Sequence, residues 1–157
     1  MSSWIEKVGG ESRWFKANKL EKEGRYGEAL TLYLEEAKKQ EERSPALTAL
    51  SYLSAAKCAL KLGRIDEASK LFLKAGKKYE DYGDSILSVS PNSSAWAYKM
   101  ASRCYAWAGD DSSAEKALEK ASSIAEKMGE RGRQYMPLFK PYKPKKGEKT
   151  DEDSDAA

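Results

Sequence analysis

From Glu11 to Glu42, the apolar positions Trp14, Phe15, Ala17 and Leu20, then Tyr26, Ala29, Leu30, Tyr33 and Leu34, recur at steps of three and four. Such spacing lines one face of a helix, and Gly24 between the two sets offers the left-handed backbone position that ends one helix before the next begins. A first antiparallel pair is therefore predicted. The stretch "RSPALTALSYLSAAKCALKLG" predicts a third helix, with Ser44 as N-cap and Pro45 in the first helical position, where its missing N–H costs nothing. Leu47, Leu50, Leu53, Ala56 and Leu60 give it a broad apolar face, and Gly63 ends it. The return helix carries Ile65, Ala68, Leu71, Phe72 and Ala75, with Asp66 and Glu67 in the first turn, where the helix dipole favours acids.

After Tyr82, "GDSILSVSPNSS" reads as a turn-rich linker whose Ile86, Leu87 and Val89 fold back on the helices, with a short strand or a partner-binding loop as alternatives. A third pair follows. Trp96, Ala97, Met100, Ala101, Cys104, Tyr105 and Ala108 form one helix, Gly109 turns it, and Ala114, Leu118, Ala121, Ile124 and Ala125 line the return to about Met128. The pattern predicts an N-terminal extension at 1–10, a helical domain at 11–128, an aromatic and basic segment at 129–143 and a disordered charged tail at 144–157.

Composition narrows the chemistry. The 157 residues are 40% hydrophobic and 34% charged, which fits one domain with a modest core. No apolar run is long enough to span a bilayer and "MSSWIEKVGG" does not resemble a secretory signal, so a cytoplasmic protein is expected. Histidine is absent, which removes the commonest acid/base group near neutral pH and the commonest metal ligand. Cys58 and Cys104 lie among alanines in helical pattern and read as small buried hydrophobes. Glu41/Glu42 and Asp110/Asp111 are adjacent acid pairs of the sort found at helix ends. With no phosphate-cradling GxxxxGK[ST] loop and no nucleophilic triad, the expectation is a protein that is not an enzyme and takes no metal or cofactor.

The turn glycines Gly24, Gly63 and Gly109 are each followed five residues later by an alanine, Ala29, Ala68 and Ala114, and four beyond that by Tyr33, Phe72 or Leu118. Recurrence of this kind marks stacked helical pairs. On these residues, and on Tyr52, Ala55, Ala56, Ala59 and Ala75 of the second unit and Tyr98, Ala101, Tyr105 and Ala121 of the third, the chain resembles the tetratricopeptide repeat superfamily. The turn glycines lie 39 and 46 residues apart, longer than the 34-residue period of the simplest repeats, which makes the chain more similar to the long-helix variants of soluble NSF attachment proteins. The resemblance implies an all-α fold, a right-handed stack of about three antiparallel hairpins with a C-terminal extension.

It also implies a concave groove lined by first helices. There Asn18, Lys22, Lys57, Lys61, Lys99 and Arg103 project, five of the six basic, and Trp107 offers an anchor; Trp96 lies eleven residues from it and can share its face. Basic donors on rigid helices suit an acidic or extended segment of a partner protein, so a non-catalytic adaptor or scaffold is expected. Two alternatives stay open. Between Glu126 and Lys149 eight basic residues face three acidic ones, and Arg131, Arg133, Lys140, Lys143, Lys145, Lys146 and Lys149 interleave with Tyr135, Phe139 and Tyr142, a pattern that can serve nucleic acid. The same aromatic segment can instead contact the helical domain as a cap or fill its groove, and the exposed surface can serve self-association.

Overall fold

The computed structural model describes residues 13–133, with side chains to Gly129. Among the described residues it contains six α-helices and no strand: α1 (Arg13–Lys22), α2 (Tyr26–Gln40), α3 (Pro45–Lys61), α4 (Ile65–Ile86), α5 (Pro91–Trp107) and α6 (Asp111–Arg133). Each helix packs mainly against its neighbours in sequence, so the fold is all-α with a helical-repeat arrangement. The chain separates into two compact units, Met1–Ala125 and Glu126–Ala157, and of the second only the end of α6 is described. The N-terminal extension, most of the aromatic and basic segment, and the charged tail lie outside the described residues.

The three turns within pairs are built alike. Gly24, Gly63 and Gly109 have φ of 80°, 74° and 84°, the left-handed region that favours glycine. Their N–H groups donate to Glu21, Leu60 and Ala106 at 3.0 Å, and the next residues Arg25, Arg64 and Asp110 donate to Leu20, Ala59 and Tyr105 at 2.8–2.9 Å. These are the paired bonds of a Schellman ending, which satisfy the carbonyls that a helix terminus would otherwise leave unpaired. The same Arg25, Arg64 and Asp110 then accept the amides of Ala29, Ala68 and Ala114, opening the return helix. The five-residue interval from glycine to alanine thus has a geometric cause. It places a small, buried side chain, 0%, 0% and 8% exposed, in the first turn of each return helix.

The second and third pairs match over a longer register than the turns alone. Ser44 and Ser90 cap the helices, Pro45 and Pro91 start them, Cys58 and Cys104 are buried in them and Gly63 and Gly109 end them, each separated by 46 residues. Helices α3 and α5 are both 17 residues long. The core between pairs is alanine-rich, with Tyr33, Tyr52, Leu53, Phe72, Tyr79, Tyr98 and Tyr105 filling the wider gaps. Close helix approach is what small residues permit, and the few large ones supply most of the buried apolar area.

Several expectations are corrected. The linker after Tyr82 is much shorter than its composition suggests: α4 continues through Gly83 to Ile86, leaving only residues 87–90 as a turn. Gly83 stays helical because Tyr98 of α5 fills the space beside it; a Cβ there would lie 2.6 Å from that ring. Gly76 seats Tyr105 in the same way, at 2.9 Å. The tyrosines reach back to α4 acids, Tyr98 to Asp84 at 2.5 Å and Tyr105 to Glu80 at 2.7 Å, and Lys120 of α6 bonds Glu80 at 2.7 Å. Leu87 and Val89 do not fold back, being 42% and 82% exposed. Nor does α6 end near Met128; it runs through Gly129 and Gly132 to Arg133.

Helix α3 also turns its broad apolar face differently. Leu47 and Leu60 are about half exposed, whereas Thr48 and Ser51 are buried. Thr48 donates to the Ser44 carbonyl at 2.8 Å, so its hydroxyl enters the core already paired. Ile65, expected in the core, is 59% exposed, and Leu118 is 50% exposed where its counterparts Tyr33 and Phe72 are buried.

Candidate functional site

Two pockets flank the C-terminal end of α3, both at the end of the stack where the three turn glycines lie. The first has a volume of about 310 Å³. Glu21 and Lys22 of α1 and Tyr26 of α2 form one wall; Lys57, Cys58, Leu60 and Lys61 of α3 form the other. The second, about 270 Å³, shares Lys57 and Leu60 and continues over Ile65, Ala68, Ser69 and Phe72 of α4 to Trp107 at the end of α5.

The first pocket lies where the turn between α1 and α2 faces the end of α3, and the second where the turn between α3 and α4 faces the end of α5. Trp107 folds onto Phe72, ring centroids 5.4 Å apart, and still keeps half its surface open. Trp96, the other tryptophan considered as an anchor, lies edge-on to Tyr79 at 5.8 Å and lines neither pocket.

The charge around the first pocket is uneven. Lys22, Lys57 and Lys61 are exposed and form no ion pair with a carboxylate among the described residues. The one acid, Glu21, is half-buried and already engaged: Tyr33 Oη donates to its Oε1 at 3.0 Å and Cys58 Sγ to the same oxygen at 3.8 Å. Burial first, and then the neighbouring Glu21 carboxylate, raise both donors, Cys58 to about 12. Neither is a nucleophile at neutral pH. Cys104, at the matching place in α5, is also pushed up to about 12 by burial. Both thiols should therefore resist Ellman's reagent at pH 8 in the folded protein and react together on unfolding; rapid release of either thiol from folded protein would contradict this environment.

Of the residues singled out by sequence, the structure brings Lys22, Lys57 and Lys61 together in one pocket and Lys57 and Trp107 in the next. Asn18, Lys99 and Arg103 line neither, although Arg103 holds the position in α5 that Lys57 holds in α3. Tyr135, Phe139 and Tyr142 lie outside the described residues. Sequence reasoning missed Glu21, Tyr26, Leu60 and Ile65. The available signal was position: each lies within three residues of a turn glycine, where a helix end leaves side chains uncovered.

One member of each acid pair has a structural role. Asp110 caps α6, accepting from Ser113 N at 3.1 Å and Ser113 Oγ at 2.7 Å, and these bonds hold its carboxyl below the ordinary aspartate value. Glu41 pairs with Lys78 at 3.9 Å. Among the described residues no group of three or more acids and cysteines is arranged to hold a metal ion, and no helix is long and apolar enough to cross a membrane.

Comparison with family models, with curated proteins and with solved structures returns no match. The arrangement is therefore described by its own geometry: helical pairs, a shared glycine turn, and two pockets beside it.

Proposed function

We propose that this protein is a non-catalytic, cytoplasmic adaptor or scaffold, a right-handed stack of three antiparallel hairpins of tetratricopeptide type, that binds an acidic or extended segment of a partner protein. The observation that carries this reading is the first pocket, where Lys22, Lys57 and Lys61 converge without carboxylate partners around largely apolar walls. Three ammonium groups outnumber the single carboxylate of Glu21, and an incoming carboxylate offsets the remaining positive charge while the aliphatic stems make contact with its backbone. Two buried free cysteines agree with a reducing compartment.

The test is titration of an amidated Glu-rich hexapeptide into the intact chain and into Lys22→Glu/Lys57→Glu/Lys61→Glu. Binding should fall by about tenfold or more on charge reversal, with unchanged helicity, and should weaken as salt rises. Equal affinity for both proteins would remove the pocket from the reading.

A further inference from the structure

The two pockets are the same structural position occurring twice. Counted from the turn glycine, each is bounded by the residue three before it, the residue two after it, and the residue two before the next pair's glycine. In the first pocket these are Glu21, Tyr26 and Lys61; in the second they are Leu60, Ile65 and Trp107. One geometry has thus acquired two rims over largely apolar walls, charged side chains in one unit and large apolar ones in the next.

The apolar version is not a buried core site. Leu60, Ile65 and Trp107 are 45%, 59% and 51% exposed, so three large hydrophobic side chains surround an open slot with Phe72 beneath. Isolated exposed hydrophobes are ordinary; three converging on one concavity mark a place for an apolar group. The same slot has a basic edge, because Lys57 lines both pockets.

We infer that the partner segment is bipartite: one or more carboxylates held at Lys22, Lys57 and Lys61, and a bulky aromatic or aliphatic side chain inserted between Ile65 and Trp107. This rests on reading the first pocket as a peptide site and adds what the second must contain. Packed helices lie roughly 8–10 Å apart. An extended chain advances about 3.3 Å per residue. The acid and the apolar anchor therefore stand about three residues apart in an extended ligand. A purely acidic segment leaves the slot open, and a purely apolar one leaves the lysines without counter-charge.

Synthetic peptides, acetylated and amidated to remove terminal charge, separate the possibilities. The probes are Glu-Glu-Gly-Gly-Phe and its reverse, the same pair with Ala for Phe, and Glu-Glu-Phe, titrated into the full chain and followed by NMR. The better Phe peptide should bind about tenfold or more tightly than its Ala counterpart, as expected for burial of one aromatic ring, and more tightly than Glu-Glu-Phe. That advantage should vanish in Ile65→Ser and in Trp107→Ala, neither of which changes the charge beside Lys57, while the Ala peptide keeps its affinity for both variants. Ile65 is largely exposed, so its variant keeps the test valid if loss of Trp107 loosens Phe72. Equal binding of the Phe and Ala peptides overturns the bipartite ligand and leaves the basic pocket standing; equal binding of Glu-Glu-Phe overturns the spacing. If none of the peptides binds, the peptide-site reading falls and takes this inference with it.

Discussion

Replacing Gly83 by alanine should destabilise the protein by roughly 2 kcal/mol, although the same change in an exposed helix interior adds about 1 kcal/mol. The sign reverses because of what faces the glycine. A Cβ at position 83 would lie 2.6 Å from Tyr98 Cε1 and 2.9 Å from its Cδ1, and the ring cannot withdraw cheaply: it is 3% exposed and its hydroxyl is tied to Asp84. Gly76→Ala meets Tyr105 at 2.9 Å and also the Ala101 carbonyl oxygen at 3.3 Å, so it should behave likewise. Urea unfolding of each variant measures the loss. In a Tyr98→Ala background the obstacle is gone, and Gly83→Ala should then be neutral or stabilising; a penalty that persists there would place its cause in α4 itself rather than in the contact with α5.

A larger loss is expected in alkali. Burial raises the thiols of Cys58 and Cys104 from 9.0 to about 12 and the Tyr79 phenol from 10.0 to about 12. Tyr33, Tyr52, Tyr98 and Tyr105 are raised too, burial again being the first cause, with Glu21, Asp84 and Glu80 adding to Tyr33, Tyr98 and Tyr105. Above pH 9 the unfolded chain releases these protons while the folded chain holds them. The folded state then binds more protons, so stability falls as pH rises, by about 1.4 kcal/mol per unit for each group between its unfolded and folded values.

Stability should be level to about pH 8 and fall steeply from pH 9 towards 12. The two thiols alone account for a loss on the order of 4 kcal/mol between pH 9 and 11. That is a large share of the roughly 5–15 kcal/mol that holds a typical domain together. Denaturant melts at pH 8, 9, 10 and 11 read the slope, and Cys58→Ala/Cys104→Ala should flatten it. A stability independent of pH up to 11 would mean that these groups are hydrated in the folded state.

The two results bear on how the fold is encoded. The glycine–alanine rhythm was legible because each turn is made by its own few residues: a left-handed position, two backbone bonds and a small side chain five residues on. Ser44 with Pro45 and Ser90 with Pro91 were legible for the same local reason, although only the first was used to start a helix. Gly83 was misread for a complementary one. Glycine next to Asp, Ser and Pro has the composition of a loop, and nothing within a few residues says that a tyrosine fifteen positions on will occupy the missing Cβ. The seven-residue interval between Gly76 and Gly83, matched by that between Tyr98 and Tyr105, was the signal available. It becomes meaningful only when both helices are set side by side.

The candidate site divides along the same line. The basic residues of the first helices were visible as a charge pattern, and Lys22, Lys57 and Lys61 do meet in one pocket. Exposure of Ile65 and Leu60 was not visible, since apolar residues in helical register read as core. By itself the sequence determined the six helical segments, the three glycine turns within pairs and the order of the elements, because backbone geometry and short-range spacing suffice for these, whereas the ends of α4 and α6 and the start of α5 depended on what packs beside them. Tertiary structure alone decided which apolar side chains are covered and which lysines share a pocket, because both depend on the separation between consecutive pairs, a distance set by contacts between residues far apart in the chain.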